Sequence, residues 1–110
     1  MTIQTNLKDF SIRHATAQDC QTILDFIIEL AVYEKLEHQV VATPETLKET
    51  LFGDKPYAMS VIAEYQGKPV GYALFFNNFS TFTGRPGIYL EDLYVQPAMR
   101  GKGFGKSLLA

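Results

Sequence analysis

Two neighbouring runs of β-branched and aromatic residues, 57–65 and 69–77, are separated only by the short connection Gln66-Gly67-Lys68. Such residues favour strands, and a short connection that contains glycine favours an antiparallel hairpin. The second run is apolar on both of its faces, where Tyr72, Leu74 and Phe76 alternate with Gly71, Ala73 and Phe75. A sheet with two apolar faces must be covered on both. The hairpin therefore predicts a largely antiparallel sheet with helices on both faces.

A strand and a helix are predicted ahead of the hairpin. Residues 10–14 alternate between apolar and polar, which is typical of a strand. Thr16 and Asp19 have the spacing of a capping box, the pattern that begins a helix. This helix is predicted to end near Glu34 or Lys35. Its predicted buried stripe consists of Ile23, Leu24, Ile27, Leu30 and Ala31, and its predicted outward positions are Gln21, Asp25 and Glu29.

Proline, glycine and hydroxyl residues mark the remaining boundaries. Thr43 and Pro44 favour the start of a second, short amphipathic helix, and Gly53 favours its end. Residues 83–87 are rich in turn formers and predict a loop. Residues 88–95 are rich in strand formers and predict a last strand after that loop.

The composition excludes several classes of protein. The 110 residues, 46% hydrophobic and 20% charged, have the size and balance of one small globular domain. The single cysteine, Cys20, cannot form an internal disulfide, and His14 and His38 are too few and too dispersed for a metal-site pattern. No apolar stretch is long enough to cross a membrane, and residues 1–8 lack a signal-type hydrophobic region. We therefore expect a cytoplasmic protein with no metal site and no membrane attachment.

Charge is distributed unevenly along the chain. All twelve acidic residues lie at or before Asp92, so that, with seven basic residues, the first 95 positions carry −5, whereas the last fifteen carry +3. This asymmetry suggests an acidic body that attracts a cation and a basic segment that holds an anion. Three charges with one aromatic residue, Phe104, are too few for nucleic acid binding.

The basic segment is a glycine-rich run that follows Arg100. Gly101, Gly103 and Gly105 would let backbone N–H groups approach a phosphate, and residues 107–110 have a composition that favours a helix start beside it. A P-loop would need glycine where Arg100 stands. A dinucleotide-binding fingerprint needs a different spacing near the start of a βαβ unit. Both nucleotide-binding patterns are therefore disfavoured.

The run Arg100-Gly101-Lys102-Gly103-Phe104-Gly105 matches the R/Q-x-x-G-x-G/A signature of the GNAT superfamily of acyl-CoA-dependent N-acetyltransferases. Three further stretches, 12–20, 29–34 and 89–95, resemble diamine (spermidine/spermine) N-acetyltransferases and their close relatives. This resemblance implies an α/β GNAT fold, in which helices flank a mixed, mostly antiparallel sheet. It also implies transfer of an acetyl group from acetyl-CoA to a primary amine of a small molecule, such as a polyamine or an amino-acid side chain.

The resemblance implies roles for particular residues. The pantetheine arm of acetyl-CoA would pair with the backbone of Leu93, Tyr94 and Val95. The pyrophosphate would be held by Arg100, Gly101, Lys102, Gly103, Phe104, Gly105 and Lys106. Tyr33, Glu34 and Glu91 would bind the amine, and Glu91 would also act as the catalytic base. The family's tyrosine that protonates the departing thiolate would lie beyond residue 110.

The predicted position of Glu91 in its strand is a second reason, independent of the resemblance, to expect a role for this residue. On a regular strand it would share a face with Tyr89, Leu93 and Val95, where an ionised carboxylate is costly unless it is paired or useful. A structural alternative stays open, because Glu91 or Asp92 could serve only to accept tyrosine or backbone hydrogen bonds within the sheet.

Alternatives also stay open for the rest of the site and for the whole chain. Tyr33 and Glu34 could be no more than a solvated helix end. Residues 1–110 are expected to form one GNAT domain whose C-terminal part is missing, and the exposed edge of strand 88–95 predicts a homo-oligomer, a dimer being expected. The competing class of function is a CoA-binding or assembly module without catalysis.

Overall fold

A five-stranded antiparallel sheet organises the computed structural model, which describes residues 2–4 and 9–99. The strands are adjacent in chain order, β1-β2-β3-β4-β5. They span Thr2–Gln4 (β1), Phe10–His14 (β2), Met59–Tyr65 (β3), Lys68–Ser80 (β4) and Arg85–Val95 (β5). Two helices, α1 (Cys20–Tyr33) and α2 (Pro44–Phe52), lie between β2 and β3. The predicted α/β architecture is confirmed, and the short strand β1 is an element that the sequence patterns did not predict.

The hairpin that the sequence predicts is formed by β3 and β4. Its turn is Gln66-Gly67, and both residues have positive φ, 53° and 78°, as a two-residue hairpin turn requires. The first strand begins at Met59 rather than at the predicted Tyr57. Tyr57 is outside the strand because its backbone N–H donates to the Thr50 carbonyl of α2, at 2.8 Å.

The hairpin formed by β4 and β5 is longer than predicted. Residues 85–87 were expected in a loop, but they pair with 78–80 and extend β5 by three residues, so that prediction is wrong. The turn lies earlier, where Gly84 has a φ of 68°. Pro86 is compatible with the strand because β5 is the last strand of the described sheet, and proline is tolerated at sheet edges.

The two helices begin and end where the sequence predicts. Helix α1 follows a short 3-10 turn, Ala17–Asp19, and its last residue is Tyr33. Helix α2 is capped by Thr43, whose hydroxyl accepts a hydrogen bond from the Thr46 backbone N–H at 3.1 Å. It ends at Gly53, where a Cβ atom would stand 2.4 Å from the Glu49 carbonyl oxygen, so that only glycine fits without rearrangement.

Both described helices pack on the same face of the sheet. The core on this face consists of Cys20, Ile23, Leu24, Phe26, Leu47, Leu51, Ile62, Tyr72 and Tyr94. Cys20 is a packed thiol in this core, and burial raises its pKa. The opposite face has a smaller cluster, Phe10, Ile12, Ala63, Val70 and Val95, against which Met99 packs. The prediction of helices on both faces is therefore met on one face only within residues 9–99, and the helix predicted at 107–110 lies outside the described residues.

An ion pair joins β2 to the start of α1. The Arg13 guanidinium donates to both carboxylate oxygens of Asp19, at 2.7 and 2.8 Å, and its Nε lies 3.3 Å from Glu64. The Asp19 carboxylate also accepts the Thr16 backbone N–H at 2.7 Å, which completes one half of the predicted capping box. The Arg13 hydrogen bonds lower the pKa of Asp19 below its ordinary value and raise that of Arg13.

Replacing Asp19 with Asn should lower the free energy of unfolding by about 1–3 kcal/mol at pH 7, because a mostly buried carboxylate with charged hydrogen bonds is lost. Since the pKa of Asp19 is lower in the folded state, its contribution is complete well above pH 3.8 and falls as the pH drops below that value. Urea unfolding at pH 7 and at pH 3 measures both effects. Asp25→Asn, on the exposed side of α1, is the matched control and should change stability little. A loss for Asp19→Asn that is equal at both pH values would contradict this account.

Candidate active site

Helix α1 is attached to the sheet by an aromatic contact over strands β4 and β5. The Phe26 ring stacks on Tyr72 of β4, with ring centroids 5.8 Å apart and planes within 4°. It also contacts Tyr94 of β5 at 6.0 Å in a tilted arrangement. All three rings are buried. This contact brings the C-terminal half of α1 beside the part of β5 that contains the predicted site residues.

The hydroxyl of Tyr72 is hydrogen-bonded to an acidic side chain of β5. It donates a hydrogen bond to Asp92 Oδ2 at 2.7 Å. Burial raises the pKa of Tyr72 well above its ordinary range, and the charges of Asp92, Glu34 and Glu91 raise it further. Negative charge at the end of α1 and in strand β5 therefore acts on this hydroxyl, to which Asp92 is directly hydrogen-bonded. The structural alternative stated for Asp92, a hydrogen bond from a tyrosine within the sheet, is confirmed.

A second tyrosine joins β5 directly to α1. The Tyr94 hydroxyl donates to Glu29 Oε1 at 2.9 Å, and the Gln96 side-chain amide donates to the same oxygen at 3.4 Å. The sequence pattern placed Glu29 on the outward side of α1, and this prediction is wrong because the side chain is half-buried against β5. A long tyrosine side chain reaches from the strand to the flank of the helix, and helical periodicity alone does not reveal such a contact.

A β-bulge changes the predicted environment of Glu91. The register of β4 and β5 shifts between Leu74, which pairs with Asp92, and Phe75, which pairs with Leu90, so Glu91 is the extra residue. As a result Tyr89 and Leu93 lie on opposite faces, and Glu91 cannot share one face with both. Glu91 is also exposed, so the predicted cost of burying its charge does not arise. The bulge presents this carboxylate to solvent at the point where the strand bends.

The other predicted site residues lie at two places, the end of α1 and the end of β5. Tyr33 is 67% exposed and ends α1, and Glu34 follows it, its backbone N–H bonded to the Leu30 carbonyl at 3.0 Å. In β5, Leu93 is half-buried, and Tyr94 and Val95 are buried. The predicted pyrophosphate segment, 100–106, lies outside the described residues.

The described part of the site can attract a cation, but it does not form a metal centre. Glu29, Glu34, Glu91 and Asp92 place four carboxylates along α1 and β5. Within residues 9–99, no group of three or more His, Cys, Asp or Glu side chains is arranged to hold a metal ion. Hydrogen bonds to Tyr94 and Tyr72 occupy Glu29 and Asp92, whereas Glu34 and Glu91 are exposed to solvent.

An open cavity of about 430 Å³ lies on the neighbouring part of the sheet. It is lined by Pro56, Tyr57, Ala58, Met59, Phe76 and Asn77. Its wall is uncharged, and Phe76 in turn contacts Tyr89 of β5, with ring centroids 5.1 Å apart. The cavity contains none of the residues that the sequence predicts for the site.

The sequence patterns did not predict the hydrogen bonds of two side chains of the site, Glu29 and Tyr72. They indicated a solvent-facing position for Glu29 and a core aromatic for Tyr72. One signal was present for Glu29, because it precedes the predicted site residue Tyr33 by four residues, and residues four apart lie on the same side of a helix. The partner of Glu29 is 65 residues away in the chain, so the hydrogen bond itself required the fold.

Comparisons with known proteins show the family and the fold of this chain. Residues 21–110 match the family model described as the acetyltransferase (GNAT) family. The fold resembles the crystal structure of an aminoglycoside acetyltransferase from an uncultured soil metagenomic sample, with a TM-score of 0.75 at 19% identity, over 92% of this chain and 65% of that one. The chain therefore belongs to the GNAT acetyltransferase family, and the fold implied by the sequence resemblance is confirmed.

Two curated relatives show more specifically which kinds of acetyltransferase the chain resembles. The chain is 44% identical to the thialysine N-epsilon-acetyltransferase of Sus scrofa, over 89% of this chain and 62% of the relative. It is 40% identical to the human spermidine/spermine N(1)-acetyltransferase-like protein 1, over 96% of this chain and 16% of that protein. The chain thus spans 62% of the length of the first of these relatives. Both names describe transfer of an acetyl group to an amine.

Replacing Tyr72 with Phe should lower the free energy of unfolding by about 1–3 kcal/mol, because the Asp92 carboxylate loses its phenol donor. Chemical denaturation measures this loss. Tyr57→Phe is the matched control, since Tyr57 is 78% exposed, and it should leave the stability nearly unchanged. Equal stability of the Tyr72→Phe variant and the unmodified protein would show that the hydrogen bond does not stabilise the sheet.

Proposed function

We propose that the protein transfers the acetyl group of acetyl-CoA to a primary amine of a small, cationic molecule, such as a polyamine or an amino acid with an amine side chain. The observation that carries this proposal is the set of acidic side chains at the end of α1 and on β5, where Glu34 and Glu91 are exposed to solvent and Asp92 is hydrogen-bonded to Tyr72. An acidic surface of this kind favours a positively charged acceptor over a neutral or anionic one. The names of the relatives, which specify thialysine, spermidine and spermine, support the same class of acceptor.

The reaction requires a group that accepts a proton from the amine, and a carboxylate can be that group. An alkylamine with a lysine-like pKa of about 10.4 is neutral in only about one part in 2,500 at pH 7, which corresponds to about 4.6 kcal/mol. Only the neutral amine has the lone pair that attacks the thioester carbonyl. A site that binds the ammonium form must therefore also accept its proton, directly or through water.

We assign the proton-accepting role to Glu91. Asp92 already holds the Tyr72 hydroxyl, whereas Glu91 is exposed at the bulge and can meet a substrate or a bridging water. Glu34, at the exposed end of α1, would bind the ammonium group and orient the amine. Tyr33 would flank that group with its ring, since ammonium groups interact favourably with aromatic faces.

Strand β5 would hold the acetyl donor. It is the last strand in the described sheet order, and the pantetheine arm would lie along it at Leu93, Tyr94 and Val95. The basic, glycine-rich segment 100–106 would hold the pyrophosphate, as its sequence predicts. In this arrangement the thioester carbonyl lies at the level of the bulge, where Glu91 can take the proton from the attacking nitrogen. The amine nitrogen forms the new amide bond, the carbon–sulfur bond breaks, and CoA leaves as a thiolate that then takes up a proton.

Two further predictions complete the proposal. A single cysteine, packed in the core as Cys20 is, suits the reducing cytoplasm, and cytoplasmic location remains a prediction from the sequence. Association into a dimer likewise remains a prediction from the sequence. The described residues contain no helix that is long and apolar enough to cross a membrane.

Acetyl transfer to a panel of amines tests the proposed function. The panel should contain a diamine, a polyamine, a lysine-like amino acid, and a neutral aromatic amine as the negative control. We expect turnover of at least one cationic amine, and Glu91→Gln should lower its kcat/KM by about 10²-fold or more, with little change in affinity for CoA. Glu49→Gln, on the exposed side of α2, is the matched control and should behave like the unmodified protein.

Two results would contradict the proposal. Absence of transfer to every amine, with CoA still bound, would favour a binding or assembly module. Wild-type kinetics of Glu91→Gln would return Glu91 to a structural role and leave the base unassigned.

A further inference from the structure

We propose that the hydrogen bond between Tyr94 and Glu29 positions the amine-binding end of α1 against β5. In this inference Glu29 and Tyr94 act as positioning residues for Glu34 and Tyr33 through the helix, and neither contacts the amine through its side chain. The inference rests on the proposed function, because it concerns the geometry of that same site.

The hydrogen bond between Tyr94 and Glu29 holds α1 at a fixed distance from β5. The Tyr94 ring is buried and held against Phe26, with ring centroids 6.0 Å apart, so its hydroxyl has little freedom. That hydroxyl donates to Glu29 Oε1 at 2.9 Å, and Gln96, just beyond the strand, donates to the same oxygen. Two donors from the β5 segment therefore converge on one carboxylate oxygen of α1. Aromatic packing alone tolerates sliding, whereas a hydrogen bond weakens steeply with distance and angle.

The helix transmits this position to the candidate site. Glu29 and Tyr33 are four residues apart and lie on the same side of α1, one turn from each other. The last turn is closed by hydrogen bonds from Glu34 to Leu30, at 3.0 Å, and from Leu36 to Ala31, at 2.8 Å. Fixing Glu29 therefore fixes the place where the chain leaves the helix, and with it the Glu34 carboxylate.

The strand residue of this hydrogen bond, Tyr94, belongs to the segment that is proposed to hold the acetyl donor. Tyr94 is the middle residue of 93–95, whose backbone is proposed to hold the pantetheine arm, and it lies three positions after Glu91. One hydrogen bond thus joins the element that would hold the acetyl donor to the element that would hold the acceptor. Its loss should change how well the amine is placed more than how well CoA binds.

Steady-state kinetics of three variants tests this inference. Tyr94→Phe removes only the hydroxyl, and Glu29→Ala removes the acceptor. Each should raise the KM for the amine about three- to tenfold while the affinity for CoA stays within about twofold. Glu29→Gln keeps an acceptor oxygen for Tyr94 but removes the charge, so its KM should return to near that of the unmodified protein. Gln21→Ala, which removes an exposed hydrogen bond to Asp25 on the same helix, is the matched control and should leave the kinetics unchanged.

The Glu29→Gln variant separates positioning from direct binding. If Glu29→Gln loses as much as Glu29→Ala, the negative charge itself binds the amine and the positioning role is wrong. If Tyr94→Phe leaves the KM unchanged, the hydrogen bond has no part in placing the amine, and the inference is again overturned.

A readout that needs no turnover keeps the inference distinct from the proposed function. Amide hydrogen exchange at residues 30–34 reports how firmly the last turn of α1 is held. We expect faster exchange in Tyr94→Phe than in the unmodified protein and no change in Gln21→Ala. Faster exchange in a protein that acetylates no amine would retain the mechanical link and reject the proposed function. Unchanged exchange would reject the link even in an active enzyme.

Discussion

The packing of Phe26 against Tyr72 and Tyr94 is the contact on which the arrangement of the site depends. The stack at 5.8 Å and the tilted contact at 6.0 Å place α1 across two strands, and these two strands contain the rest of the described site. Burying three aromatic rings contributes a large apolar area, whose removal from water stabilises the domain. This contact therefore holds α1, which ends beside Glu34, on the strands that contain the other described residues of the site.

The two tyrosines also have a polar function at the border of the core. Each ring belongs to the core, and each hydroxyl ends at a carboxylate, Asp92 within the sheet and Glu29 on the helix. A buried hydroxyl needs a hydrogen-bond partner, and a carboxylate beside a core needs a donor. Each tyrosine–carboxylate pair meets both requirements at once. Glu34 and Glu91 remain exposed, and they are the carboxylates that the proposed function uses.

Local sequence patterns predicted most of the fold, because caps, turns and periodicity act over a few residues. Thr43, Gly53 and the Gln66-Gly67 turn each have the local role that their residue types favour. The bulge at Glu91 was not predictable in this way, since it depends on the register between two strands, and a single extra residue reverses the faces of all that precede it. The partner of Glu29 depended on a contact across 65 residues. The candidate residues 33, 34 and 91 were predicted by resemblance, whereas the hydrogen bonds around them required the structure.

A crystal structure with a bisubstrate analogue, a diamine joined to CoA through an acetyl linker, is the most direct test of the central claim. We expect the pantetheine arm to lie along residues 93–95 of β5 and the free ammonium group to lie within hydrogen-bond distance of Glu34 or Glu91. An analogue whose diamine instead occupies the uncharged cavity beside Phe76, away from both carboxylates, would contradict this claim.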